Sequence, residues 1–174
     1  MQRKLERSQQ YQVLQAMGFS PWLSKAETPL LSIQPVFNAS CLVILPEKLQ
    51  SSDQEANKIL NGMLKVLEID LEKIAVSWVK EVDFSKDQQN LQQEIVKWSP
   101  KTVLMMGEEA AQAVLSNYAA IDTLREEPHW IPDSKIFLQV TFDPIFLKEF
   151  PEHKKKAYQD LLRLRDHLRR EKVT

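Results

Sequence analysis

Four short apolar runs constrain the fold of this chain more than any other feature. They are Cys41–Leu45, Ile74–Val79, Thr102–Met106 and Ile136–Val140. Runs that are apolar throughout are typical of strands buried on both faces of a parallel sheet. Helical patterns separate the runs and no hairpin signal joins them, which indicates a parallel α/β domain. We expect a three-layer α/β/α sandwich with a four-stranded parallel sheet over residues 41–174.

The segments between these runs carry helix signals. The run Ser-Ser-Asp at residues 51–53 offers N-cap residues for a first helix with apolar side chains at three- and four-residue spacing. A second helix is predicted over residues 87–98, and Gly107 turns the chain into a third. A long final helix is predicted from Glu152 to about Glu171.

The N-terminal part of the chain reads as a separate arm. We assign residues 1–24 to this arm and residues 25–40, with Pro29 and Pro35, to an extended connector. The segment Gln15–Trp22 holds large apolar side chains with few apolar neighbours. Such side chains are candidates for burial against a partner protein. Folding of the arm into a groove on its own domain is an equally open alternative.

Composition excludes several function classes. With Lys+Arg 23 against Asp+Glu 24, the net charge of -1 gives no global attraction to nucleic acid. Cys41 is the single cysteine and lies in an apolar run, which favours a reduced core thiol and a cytoplasmic protein. No apolar stretch reaches the ~20 residues of a membrane span, and no signal peptide is evident, so we expect no membrane contact.

Cofactor and metal motifs are also missing from the sequence. The 3 glycines supply neither a phosphate-binding loop nor a dinucleotide fingerprint. The 3 histidines are not at ligand spacing, and one cysteine cannot complete a metal site. We therefore expect no cofactor and no metal. The final helix is rich in Lys and Arg, but interspersed acidic residues favour a solvated, ion-paired helix over a nucleic-acid surface.

The ends of the strands are the remaining place for chemistry, because parallel sheets bind ligands beyond the carboxyl ends of their strands. Glu108 and Glu109 follow the third strand, where carboxylates usually complement a helix dipole. Asp143 follows the fourth strand and precedes a proline, which is typical of a turn residue. His129-Trp130 lies in the long connection before the fourth strand, so Trp130 is a candidate for an exposed aromatic contact.

The order of these elements resembles the uracil-DNA glycosylase superfamily, in particular its small bacterial members. The resemblance covers roughly residues 40–168 and is carried by the segments 59–80, 102–115 and 141–161. It implies a glycosylase-like fold in which five residues occupy former active-site positions. These residues are Pro46, Glu47, Ser77, Asp143 and Pro144.

The chain departs from that family at each catalytic element. Leu45-Pro46-Glu47-Lys48 stands where the family has a Gly-Glu-x-Pro-Gly loop that activates water, and Ser77 stands near its base-reading asparagine. Asp143 replaces a histidine that stabilises charge on the leaving uracil, and an anion there opposes that charge. The resemblance thus implies a protein that is not an enzyme and has no catalytic residue. The alternatives are a divergent uracil-DNA glycosylase in base-excision repair, with Glu47, Glu108 or Asp143 as base, and a small-ligand-binding domain.

The arm adds a second resemblance, to the psi-subunit family of the bacterial DNA polymerase III holoenzyme. Members of that family join a catalytically inactive version of this fold to an N-terminal arm with the pattern Gln-x-Leu-Gly-Ile-x-x-Trp. The corresponding run here is Gln15-Ala16-Met17-Gly18-Phe19-Ser20-Pro21-Trp22. Met17 and Phe19 stand where the family pattern has Leu and Ile, so both positions remain apolar.

This resemblance implies a non-catalytic adaptor in DNA replication. The arm would bind the tau/gamma-type ATPase subunits of the clamp loader, and the domain would bind the chi subunit, which contacts single-strand binding protein. The adaptor would act in the bacterial cytoplasm at the replisome, and direct contact with nucleic acid stays open. The residues expected to contact the ATPase subunits are Tyr11, Leu14, Gln15, Met17, Gly18, Phe19 and Trp22.

Overall fold

A computed structural model describes residues 38–46, 49, 53–79 and 88–173 of the chain. The N-terminal arm, most of the connector and Glu47 lie outside these described residues. The predictions made for them therefore stay predictions. The described part of the chain forms an α/β domain around a mostly parallel sheet.

The central sheet has five strands in the order β2-β1-β3-β5-β4. Strands β1, β2, β3 and β5 pair in parallel, and β4 pairs with β5 in the antiparallel direction. The four apolar runs thus form strands, with ends within one residue of those predicted. The strand bounds are β1 Cys41–Pro46, β2 Ile74–Val79, β3 Thr102–Met106, β4 His129–Trp130 and β5 Phe137–Thr141.

The prediction of a four-stranded, wholly parallel sheet is wrong because of β4. His129 lies opposite Leu138 and Trp130 opposite Phe137, so β4 and β5 form a short hairpin. Its turn is closed by a hydrogen bond from the Ile131 N–H to the Ile136 carbonyl oxygen at 3.2 Å. A strand of two residues is too short to show an alternating pattern, which explains why the sequence did not indicate it.

Six α-helices connect and cover the strands in the described part of the chain. The predicted final helix is preceded by a separate 3-10 turn, Pro151–His153. Two short helices, Ile121–Leu124 before β4 and Pro144–Glu149 after β5, were not predicted. None of the helices in the described ranges is both long and apolar enough to cross a lipid bilayer. The helix bounds are α1 Gln54–Val66, α2 Gln88–Trp98, α3 Glu108–Leu115, α4 Ile121–Leu124, α5 Pro144–Glu149 and α6 Lys154–Val173.

Successive side chains of β1 point into two different apolar clusters. Cys41, Val43 and Leu45 pack with side chains of α1, α5 and α6. Leu42 and Ile44 pack with side chains of α2 and α3. Since neighbouring side chains of a strand point to opposite faces of a sheet, helices cover both faces.

Cys41 is fully buried in β1, as the apolar run predicts. Burial raises the pKa of its thiol to about 12, against smaller opposing effects of hydrogen bonds involving Thr102 and Leu104. The thiol is therefore neutral at physiological pH and is a packing group of the core.

Asp53 begins α1 and ties it to α5. Its Oδ1 accepts hydrogen bonds from the N–H groups of Glu55 and Ala56, both at 3.1 Å. Its Oδ2 accepts a hydrogen bond from the Lys148 ammonium at 2.5 Å. This contact with Lys148, followed by the hydrogen bond from Ala56, lowers the pKa of the Asp53 carboxyl. The predicted N-cap is therefore also part of an inter-helix ion pair.

We expect the stability of the domain to fall below about pH 4, in part because of Asp53. The folded state lowers the pKa of this carboxyl, so its stabilisation is present above the unfolded pKa and is lost as pH falls through the folded pKa. Urea unfolding at about pH 6 and about pH 3 measures this difference. Asp53→Asn keeps a capping side chain without the charge and should reduce the difference between the two midpoints. An undiminished difference in the variant would contradict this account.

Candidate functional site

The strand order fixes where a ligand site would lie in this domain. The chain winds from β1 toward β2 in one direction and toward β3 and β5 in the other, so the switch point falls between β1 and β3. Open α/β sheets bind ligands at such a point, outside the carboxyl ends of the strands. Pro46 ends β1, Ser77 lies near the end of β2, and Asp143 and Pro144 follow β5. These four residues, which the resemblance assigns to former active-site positions, thus lie at or near the carboxyl-terminal end of the sheet.

Asp143 is the N-cap of α5. Its Oδ1 accepts a hydrogen bond from the Phe146 N–H at 3.0 Å. Pro144 takes the first helical position, where a backbone N–H would have no partner within the helix and its absence costs nothing. Only 7% of Asp143 is exposed. The sequence predicts a turn residue at Asp143. In the structure this turn leads directly into α5, and the carboxylate caps the helix.

Gly107 brings the ends of β3 and β5 together beside this carboxylate. Its N–H donates a hydrogen bond to the Thr141 carbonyl oxygen at 2.8 Å. Its φ of 98° favours glycine, and a Cβ at this position would lie 3.0 Å from Asp143 Oδ2. The space between these strand ends is therefore filled by the protein's own backbone and carboxylate.

Ser77 and Glu108, the other polar residues near these strand ends, differ in their hydrogen bonding. Ser77 is fully buried, and its Oγ has no hydrogen-bond partner among the described residues. It shares the face of β2 with Ala75 and Val79, toward α2 and α3. Glu108 accepts a hydrogen bond from the Ile121 N–H at 2.9 Å and thereby stabilises the start of α4. Ser77 is thus enclosed by the sheet and its helices, and one carboxylate oxygen of Glu108 is engaged at the start of α4.

Arg125 and Asp160 form a buried ion pair beside the end of β5, which no motif in the sequence predicts. Arg125 donates two hydrogen bonds to Asp160, from Nε to Oδ2 and from Nη2 to Oδ1, each at 3.0 Å. The Thr141 hydroxyl donates to the same Oδ2 at 3.0 Å, and the guanidinium lies 5.3 Å from the centre of the Phe142 ring. The network joins α4, β5 and α6.

The final helix is predicted as solvated and ion-paired, but Asp160 on this helix is 0% exposed and its ion pair is buried. The spacing of Ala157, Leu161 and Leu164 could have indicated this, since Asp160 falls on the same apolar stripe. Burial raises the pKa of the Asp160 carboxyl, and the hydrogen bonds and charge of Arg125 act in the opposite direction. Its ionised form thus depends on Arg125.

Trp130 is exposed, as predicted for the connection before the last strand, with 51% of its surface accessible. Its ring contacts Phe137 edge-on, with centroids 5.1 Å apart. His167 stacks on Phe137 at 4.1 Å, and burial lowers the pKa of its imidazole. His167 is therefore partly buried against the β4–β5 side of the sheet.

The basic residues of α6 are partly neutralised by acidic neighbours. Arg165 lies 3.6 Å from Glu68, and Arg169 also pairs with Glu68. Lys156 lies 3.2 Å from Asp122. These pairs lower the positive field that a phosphate backbone would meet along this helix.

A shallow apolar groove runs between α1 and α6. Its volume is about 230 Å³. Leu147 of α5 closes one side. The other residues that line it are Ile59, Gly62, Met63, Val66, Lys154, Ala157, Tyr158 and Leu161.

No protein-family model and no curated protein matches this chain. Among residues 38–46, 49, 53–79 and 88–173, no group of three or more His, Cys, Asp and Glu side chains is placed to hold a metal ion.

We expect Arg125→Met to lower the free energy of unfolding by about 3–5 kcal/mol, because it leaves the Asp160 carboxylate buried without its main partner. Urea unfolding measures this loss. Replacing both partners, Arg125→Met with Asp160→Leu, should recover much of it, since no charge is then left in the interior.

The exposed pair Arg169–Glu68 supplies a matched control for this experiment. Arg169→Met removes the same kind of charge at the surface and should change the urea midpoint far less. Equal losses in Arg125→Met and Arg169→Met would contradict a special role for the buried pair.

Proposed function

We propose that this protein is a non-catalytic adaptor of the psi-subunit type, built on a uracil-DNA glycosylase-like domain. Its arm binds tau/gamma-type clamp-loader ATPase subunits, and its domain binds a chi-type subunit and through it single-strand binding protein. The observation that carries the proposal is the state of Asp143. This residue stands where the resemblance places the charge-stabilising histidine, and it is a buried helix cap.

The electrostatics of Asp143 support the adaptor over the glycosylase. Cleavage of the glycosidic bond builds negative charge on the leaving base, which donors or cations must stabilise. The Asp143 carboxylate instead accepts a hydrogen bond from Phe146 at the start of α5. A carboxylate in this position opposes the developing charge and is already committed to the helix.

Access to the former base-reading position supports the same proposal. A flipped base is read by side chains that line an open pocket. Ser77 is 0% exposed and faces the cluster formed with α2 and α3. The hydroxyl would reach a base only after β2 and its neighbours had moved apart. In this proposal the domain retains a glycosylase-like fold, and polar side chains such as Asp143 stabilise that fold instead of binding a base.

The arm supplies the binding chemistry in this proposal. Met17, Phe19 and Trp22 are apolar anchors in a segment without charged side chains. Tryptophan is enriched among the residues that dominate interface energetics. Gly18 permits a backbone turn between a helical part and the aromatic part of the arm.

We expect the full chain to bind the clamp-loader ATPase oligomer with micromolar or tighter affinity, and Trp22→Ala to weaken binding ~30-fold or more. Loss of a central tryptophan anchor typically removes about 2 kcal/mol or more, and 1.4 kcal/mol corresponds to a factor of ten. Calorimetry measures both affinities.

Trp130→Ala is the matched control, because it removes an exposed tryptophan from the domain instead of the arm. Its affinity for the ATPase oligomer should equal that of the wild type. The absence of binding by the wild-type chain would overturn the proposal. Excision of uracil from an oligonucleotide, abolished by Asp143→Asn, would establish the glycosylase in its place.

A further inference from the structure

We propose that the groove between α1 and α6 receives the protein's own segment Met17–Trp22 when no partner holds it. This interaction is within one chain and requires neither the clamp loader nor a chi-type subunit. It would shield the apolar anchors of the arm in the free protein.

The chemistry of the groove suits an aromatic side chain. Its volume of about 230 Å³ exceeds the ~150 Å³ of an engineered apolar cavity that binds benzene. Met63, Val66 and Leu161 give it apolar walls, and Tyr158 is half exposed at its rim. Gly62 leaves a notch in α1, since a Cβ built there would meet no atom within 4 Å.

The path of the chain places the arm within reach of this groove. Asn38 lies at the amino-terminal edge of the sheet, where its N–H donates to the Trp98 carbonyl oxygen at 3.3 Å. Helix α1 runs antiparallel to β1, so its Val66 end returns to this same edge. Residues 23–37 span at most about 50 Å when extended. Helix α1, with 13 residues, is only ~20 Å long, so Trp22 can reach any part of the groove.

The composition of the arm matches the groove rather than the surrounding surface. The segment Leu14–Trp22 has no charged side chain, and the groove has mainly aliphatic walls. Around it, α1 and α6 present charged groups such as Lys65 and Lys155 to water. An uncharged segment with large apolar residues gains most by leaving water where the wall is also apolar.

The test uses the full chain labelled with 5-fluorotryptophan and followed by fluorine NMR. Trp22→Phe identifies the Trp22 signal among the 4 tryptophans, and a peptide of residues 1–37 gives its position in water. In the wild type, the Trp22 signal should differ from that of the peptide. Gly62→Leu fills the notch and should move the signal to the peptide position.

Lys65→Leu is the matched control, because it adds the same side chain to an exposed position of α1 outside the groove. It should leave the Trp22 signal at the wild-type position. Tyr158→Asp provides a second way to weaken the groove if Gly62→Leu disturbs folding, and it should have the same effect on the signal.

Three results would overturn the proposal. The first is a wild-type Trp22 signal that coincides with that of the peptide. The second is a distinct Trp22 signal that neither Gly62→Leu nor Tyr158→Asp changes. This result would also overturn the proposal if the same variants weakened the binding of a chi-type subunit, because the groove would then serve that partner. The third is a signal that moves with protein concentration, which would assign the groove to the arm of a second copy.

Discussion

The buried pair of Arg125 and Asp160 is the interaction on which the carboxyl-terminal half of the domain depends. Two charges removed from water are tolerated only when their geometry is close and their remaining hydrogen-bonding groups are satisfied. Here the guanidinium contacts both carboxylate oxygens, and Thr141 supplies a further donor. The pair thus fixes the short helix α4, the end of β5 and the middle of α6 relative to one another.

The polar groups near the strand ends follow a common principle. Asp143 starts α5, Glu108 stabilises the start of α4, and Asp160 holds Arg125. Each carboxylate accepts a hydrogen bond from the protein itself, at a place where related folds bind ligands. In the described part of the chain, these carboxylates at the carboxyl-terminal end of the sheet therefore stabilise the fold.

The sequence predicts the parallel strands well and the rest of the site poorly, for physical reasons. Strands such as Ile74–Val79 are buried on both faces, so their continuous apolar character is visible without any neighbour. The two-residue strand β4 has no such pattern and depends on pairing with β5. Arg125 and Asp160 are 35 residues apart, and their contact follows from the packing of α6, which no local pattern specifies. The side chains of the arm lie beyond the described residues.

The burial of Cys41 has a practical consequence for work on this molecule. The only sulfhydryl group of the chain is held in β1, an interior strand of the sheet, as a neutral thiol with 0% exposure. A thiol reagent reaches it only in molecules that have opened, so its labelling rate reports how often the native sheet comes apart. A cysteine introduced at the surface would therefore accept a probe selectively in the native protein, without prior removal of the natural one.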